Sequence, residues 1–312
     1  MYHPYLRGKQ YELITLREKA TLLSEAGFVP IIEPVREALR GLERALEAIC
    51  EAEGTAIVVV NPGYGDHQDG GGDISAMLAT SFQDNPYISA GILLTGAMTV
   101  DDALRLYREH AAHRPAFIHA GFDAAKALST SLGENIQATK HVFIEAHCGK
   151  LYRLNFAKAS ERVLIRDGFK RRKNSSYERM EFFSDLHLTF EYEGATGFGD
   201  FLIVGDEFSE GGGPAYAVAI HVTAIDPTKD NAMDVYHFVS TSNDTPTDAP
   251  GKFKQALAKL VDALGSETSN IFEGPSIQEF RQLHERGHFP GLGYVKKLSM
   301  NHHIETLADH FA

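Results

Sequence analysis

The chain holds little of what most directly announces a function. Two cysteines, Cys50 and Cys148, are too few for a disulfide framework; the first falls in a helical pattern and the second just beyond a strand, so a reducing, cytoplasmic setting is expected. The opening MYHPYLRGKQYEL lacks the apolar stretch of a signal peptide, and no window approaches the ~20 apolar residues of a membrane span, which predicts a soluble protein. Cations are in deficit, 30 Lys and Arg against 42 Asp and Glu, for a formal net charge of -12. A surface that tracks phosphates needs a cation excess, so no extended nucleic-acid surface and no membrane attraction are expected.

Several catalytic motifs are missing as well. No GxGxxG turn follows the first strand. Gly70-Gly71-Gly72-Asp73 and Gly211-Gly212-Gly213-Pro214 lack the lysine and hydroxyl of a phosphate-cradling GxxxxGK[ST] loop, and read as flexible loop or turn. HExxH spacing is absent and two cysteines cannot complete a zinc-finger set, which argues against a dedicated zinc site. No GxSxG elbow occurs; Cys148 beside His147 is a weak nucleophile candidate, because a catalytic pair is defined by geometry and not by adjacency.

What is present is a rhythm. The 312 residues, 43% hydrophobic and 23% charged, suffice for a substantial core in one large α/β domain or two ordinary ones. Short apolar runs end on polar residues at Glu33 (PIIE), Asn61 (VVVN), Thr95 (ILLT), His119 (AFIH), Glu145 (VFIE), Arg166 and Asp167 (VLIRD) and Asp206 (FLIVGD). A weaker opening strand, Tyr5 to Arg7, makes eight candidates. Unbroken apolar runs mark strands buried on both faces. Helical patterns lie between them: about 12 to 25; the stripe Val35, Leu39, Leu42, Leu46 and Ile49 at spacings of 4, 3, 4 and 3; a helix opened by Thr99 and Asp102 at capping-box spacing; and shorter ones near 124–132 and 152–159.

Strands separated by helices pair in parallel through right-handed crossovers. The pattern therefore predicts an α/β fold, a TIM-like (β/α)8 barrel, with an open doubly wound sheet as the competitor. The rhythm changes after Asp167. An insertion is expected around 168–199, then strand Phe201 to Val204, the Gly211 to Pro214 turn and strands Tyr216 to Val222 and Val235 to Val239, an added β-hairpin or meander around 207–240. C-terminal helices follow at 252–264, from Ser276 with Glu279 as a capping box, and near 294–311. The whole reads as a single barrel domain, 1–312.

In such barrels the residues past the carboxyl ends of the strands line one mouth. Glu33, Glu145, Asp167 and Asp206 would offer oxygen ligands to a divalent metal, Mg²⁺ or Mn²⁺. His119, whose ordinary pKa lies close to working pH, would move a proton, with Glu145, Asp206 and Lys9 completing the catalytic set. Arg7, Asn61, Arg166 and the FKRRK cations Lys170, Arg171 and Arg172 would bind substrate, because loops after strands seven and eight often hold phosphate. The plainer alternative is that buried strands end on polar residues simply in returning to water, and that charge runs are solvated surface. Asp200 reads as a turn or capping residue, while His187 and His221, set among apolar neighbours, would face the mouth or satisfy a core hydrogen bond.

The opening MYHPYLRGKQYELITLRE followed by VPIIEPV resembles the start of the phage-type beta-protein family and of a related bacterial family encoded beside a nuclease-like neighbour. GFGDFLIVGDE and GGGPAYAVAIHVT resemble its second half. The resemblance implies a barrel-like α/β protein connected with mobile elements or phage conflict. It implies no reaction and carries over no catalytic residue. The function expected from the residues is a metal-assisted hydrolase or transferase acting on a phosphate-bearing substrate such as a nucleotide or phosphodiester. Its alternative is a non-catalytic barrel that binds a protein partner encoded nearby, as inhibitor or scaffold of a nuclease.

Overall fold

A computed structural model describes every residue except Gly212 and Pro214. The chain divides into two compact units, one formed by Met1–Asp167 with Leu186–Phe201, the other by Gly168–Asp185 with Leu202–Ala312. No described helix is long and apolar enough to cross a membrane.

In order along the chain, the first unit begins with β1 (Tyr2–Leu6), α1 (Gln10–Glu18), α2 (Ala20–Glu25), β2 (Ile31–Ile32), α3 (Arg40–Glu51), β3 (Ala56–Val59) and α4 (Gly72–Ser81). It continues through β4 (Ile88–Thr95), α5 (Val100–Glu109), β5 (Ala116–Ala120), α6 (Ala125–Leu132), β6 (His141–Ile144), α7 (Lys150–Arg153) and β7 (Arg162–Ile165). After β8 (Met180–Ser184), which belongs to the second unit, the chain returns as α8 (Leu186–Thr189) and β9 (Gly197–Asp200).

Strands β1 to β7 and β9 close into a parallel eight-stranded barrel, so the first unit is a TIM-like (β/α)8 barrel. Alternate side chains, among them Tyr5, Ile31, Ile57, Val59, Leu93, Ile118, Val142, Ile144, Val163 and Ile165, fill its interior. Their neighbours Ile32, Val58, Leu94, Phe117, Phe143 and Leu164 are equally buried, on the side of the wall facing the surrounding helices. Both faces are dry, which is why these strands read as continuous apolar runs.

Two strand assignments shift. The first strand is Tyr2–Leu6, so Arg7 lies just past its end. The eighth barrel strand is GFGD, Gly197–Asp200, and the apolar FLIV run that follows is turn, with Leu202 at a positive φ of 50°. Backbone proximity decides this: a Cβ on Gly199 would stand 2.0 Å from the His3 carbonyl oxygen and 2.5 Å from Ile165 Cδ1. Only glycine lets β9 close the barrel between β1 and β7.

The second unit holds β8, β10 (Ala219–Asp226), β11 (Ala232–Val239), α9 (Ala249–Leu264), α10 (Pro275–Arg286) and α11 (Leu292–His310). The strands form an antiparallel sheet in the order β10-β11-β8. The expected added hairpin is present, but its connection is the Pro227–Lys229 turn with Asp230 and Asn231 at positive φ. The Gly211 to Pro214 turn is not that connection, and its Gly212 and Pro214 lie outside the described residues. Val218, Ile220, Val222, Ala224 and Phe238 pack on Phe253, Leu257, Leu260, Ile277, Phe280 and Leu298 from the helices. The alternate residues of β10 and β11 face the other way.

Candidate functional site

At the barrel mouth, Arg7 and Glu33 meet. Gly8, at a φ of 59°, turns the chain after β1. The buried Glu12 carboxylate accepts the backbone N–H of Arg7 (2.8 Å) and of Lys9 (3.2 Å), which locks the RGKQYE segment. Arg7 Nε lies 3.5 Å from Glu33 Oε2, and its guanidinium carbon is 5.0 to 5.8 Å from the ring centroids of Tyr64, Phe201 and Tyr5. Glu33 Oε2 also accepts from Tyr5 Oη (2.9 Å), and Oε1 from the Gly63 N–H (2.8 Å). Asn61 mimics a strand: its amide donates to the Leu93 carbonyl and accepts the Leu93 N–H, both at 2.8 Å. Thr95 ends β4 on the same rim, half-buried, and Asp167 is exposed beyond β7.

The strand parity separates the remaining ring members from this mouth. Ile144 and Ile165 point inward, so Glu145 and Arg166, one residue on, point outward. They pair there, Arg166 Nε to Glu145 Oε2 at 2.5 Å and Nη2 to Oε1 at 3.0 Å, with Arg153 at 4.0 Å. Glu33 and Glu145 thus stand on opposite faces of the barrel wall. Glu33 spends its oxygens on Tyr5, Gly63 and Arg7. Among the described residues no three His, Cys, Asp or Glu side chains gather as donors for an ion.

His119 likewise points away from the mouth. Ile118 takes the interior position, and His119 is buried on the outer wall among Phe117, Phe143 and Phe156. Its Nδ1 is 2.7 Å from Tyr152 Oη and its Nε2 2.9 Å from His141 Nδ1. Burial, then the neighbouring His141, hold its pKa well below the ordinary value, while burial takes His141 down to about 3. His119 is a neutral core residue and not the proton carrier expected. Cys148 is buried nearby, donating to the His119 carbonyl (3.2 Å); burial pushes its thiol up to about 11, which removes it as a nucleophile at neutral pH. Asp200, expected as a cap, is a buried strand residue that accepts Tyr2 Oη at 2.7 Å.

A different constellation forms in the second unit. His221 on β10 and His237 on β11 are register partners on the sheet face opposite the helical core. Their Nδ1 atoms are 2.7 Å apart, and His237 Nε2 is 3.1 Å from Glu181 Oε1 on β8. The order of donors follows from chemistry. A carboxylate only accepts, so His237 carries its proton on Nε2 and presents a lone pair at Nδ1. His221 must then donate from Nδ1, which leaves the lone pair on its Nε2. That atom has no hydrogen bond among the described residues, and His221 is part-exposed. Desolvation, then His237 and Lys296, hold the His221 pKa well below its ordinary value; desolvation also lowers His237 against the opposing pull of Glu181.

The FKRRK loop lies against this chain. Arg172 Nη2 donates to Glu181 Oε2 (2.8 Å), with Lys170 Nζ at 3.8 Å from the same oxygen. Tyr177 stacks on His237 at 4.4 Å between centroids, stands 4.8 Å from His221, and carries the Arg172 guanidinium over its ring at 5.6 Å. Arg171 braces the Asp206 loop instead, donating to the Glu207 carbonyl and Ser209 Oγ, both at 2.9 Å. Residue patterning singled out His221 and the cations but not His237 or Glu181. A signal existed: His221 and His237 lie equally far from the Pro227–Asn231 turn, each between apolar neighbours, as cross-strand partners must.

Protein-family models, curated proteins and solved structures were all compared with the chain, and none gives a significant match. Its class is set by architecture: a closed (β/α)8 barrel joined in one chain to an antiparallel sheet backed by three helices.

Proposed function

We propose that the second unit carries a general acid–base site acting on a phosphate-bearing substrate, with hydrolysis or transfer of a phosphodiester as its reaction. The observation that carries this reading is the Glu181–His237–His221 chain, which leaves a neutral imidazole lone pair at Nε2 of the part-exposed His221. His221 would take the proton from a water or hydroxyl as its oxygen attacks phosphorus; the leaving oxygen departs with the electron pair of the broken P–O bond. The imidazolium so formed is stabilised through His237 by the Glu181 carboxylate. Arg172, part-exposed, and Lys170, exposed, would counter the charge growing on the phosphoryl oxygens. The likeness of the opening segment to phage-type beta proteins supports a cytoplasmic role in phage conflict.

The test is hydrolysis of bis(4-nitrophenyl) phosphate and of a panel of nucleotides by the full chain from pH 5 to 9. It is run with and without Mg²⁺ and Mn²⁺, because phosphate substrates bring such ions on their own oxygens. Because the His221 pKa is held well below the ordinary value, turnover should stay level across neutral pH and fall only toward the acid end, well below about pH 6.5, as His221 protonates. His221→Ala should lose about 100-fold or more in kcat, the range of a general base, while keeping a cooperative melting transition. An inactive wild type across the panel, or a fully active His221→Ala, overturns the reading.

A further inference from the structure

We propose that the outer wall of the barrel beside β6 and β7 docks an acidic amphipathic helix of a partner protein. Three observations within the first unit converge on it. The first is a gap in the helical layer. Helices α1 to α6 run 9, 6, 12, 10, 10 and 8 residues, whereas α7 and α8 have only 4 each. A barrel strand is normally covered by the helix that follows it. Here the cover is short, and a cleft of about 460 Å³ opens onto the outward side chains Phe143 and Leu164.

The second observation is exposed apolar surface around that opening. Leu151 is 80% exposed, Leu154 65% and Tyr192 91%, although α7 and the turn after α8 are ordered elements. Isolated exposed leucines are ordinary, but two large apolar side chains on one cleft, with Leu151 adjoining Lys150 of its lining, mark a recognition surface. Leu154 and Tyr192 line the cleft itself.

Third, charge defines the occupant. In a chain of net charge -12, the cleft is lined by Lys150, Arg153 and Arg162 against the single carboxylate Glu193. Glu193 pairs with Lys150 (3.2 Å) and Arg153 (2.9 Å), and Arg162 spends its donors on the carbonyls of Gly194 (2.8 Å) and Ala159 (3.1 Å). A cleft with Phe143, Leu154, Leu164 and Tyr192 as apolar lining and an excess of cations around it matches a helix with leucine-type anchors at i, i+3, i+4 and i+7 flanked by Asp or Glu. The surface is independent of His221, so either proposal can fail alone.

The experiment is fluorescence anisotropy of the full chain with two labelled helix-forming peptides that share the leucine pattern, one with flanking glutamates and one with lysines in their place. The acidic peptide should saturate and bind about tenfold or more tighter than the basic one, a preference of the size electrostatic complementarity supplies. Leu154→Asp and Tyr192→Ala, both at exposed positions, should each weaken it by about tenfold without moving the melting temperature, as anchor residues do. Lys150→Glu should shrink the difference between the two peptides. Absence of saturation, equal binding of both peptides, or indifference to Leu154→Asp overturns the proposal. So does a wild-type dimer in sedimentation that Leu154→Asp dissociates, since the occupant is then a second copy.

Discussion

Glu12 shows how a single buried carboxylate can fix a segment whose sequence suggested chemistry. Its side chain holds the Arg7 and Lys9 amides, so YLRGKQYEL is first of all a device that aims Arg7 at Glu33. Glu12→Ala should cost about 1–3 kcal/mol in urea unfolding, the penalty for buried N–H groups left without a partner. Gly199 should be less forgiving. With the His3 carbonyl 2.0 Å from where a Cβ would sit, Gly199→Ala must move backbone, and a loss above about 3 kcal/mol or a failure to fold is expected in the same measurement. The histidines divide at this scale too. His119 and His221 both stand next to apolar residues in strands, and the sequence cannot tell one from the other. His119 is enclosed by Phe117, Phe143 and Phe156, whereas His221 keeps one ring nitrogen clear of protein donors.

Elements with strong local signals formed where expected. The Thr99 hydroxyl accepts the Asp102 N–H (3.1 Å) and the Asp102 carboxylate accepts the Thr99 N–H (3.2 Å), so the capping box at α5 is real. Thr99→Ala should lower stability by about 0.5–2 kcal/mol, read as a shift in thermal midpoint. The same spacing at Ser276 and Glu279 did not make a cap. Ser276 gives its N–H (3.1 Å) and hydroxyl (2.8 Å) to Glu305, Glu279 accepts the Tyr294 hydroxyl, and α10 starts from Pro275 behind Gly274. Long-range partners outbid the local ones. Strand eight was misread for a related reason: FLIV has the apolar content of a strand, but GFGD has the backbone slimness that closing the barrel requires.

For the whole molecule, buried neutral histidines set the response to acid. Burial lowers His3 and His141 to about 3 and His302 to about 4, and holds His119 well below the ordinary value. The unfolded chain binds protons at about pH 6.5, above these folded values, so it takes up more protons through the window between them. Stability is therefore complete above about pH 6.5 and falls as pH drops toward 3, each such histidine contributing up to about 1.4 kcal/mol per pH unit inside its window. Urea midpoints at pH 7.5, 6 and 5 should decline in that order; equal midpoints would contradict burial of these imidazoles in their neutral form.

The amino-acid order by itself determined the parallel alternation of strand and helix, because apolar runs too short for helices, spaced by amphipathic segments, leave parallel crossovers as the way to bury both faces of every strand; closure into a barrel, rather than an open sheet, was decided by the fold. The order also determined most of the residues that end those strands, Arg7 and Asp206 excepted, since β1 ends at Leu6 and β9 at Asp200. Tertiary structure alone decided which face each of them takes, since a shift of one position along a strand moves a side chain through the wall. Glu33 fell inside and Glu145 outside for that reason. It was also tertiary pairing, the register of β10 against β11 and of β11 against β8, that drew Glu181, His237 and His221 from separate stretches of chain into one hydrogen-bonded row.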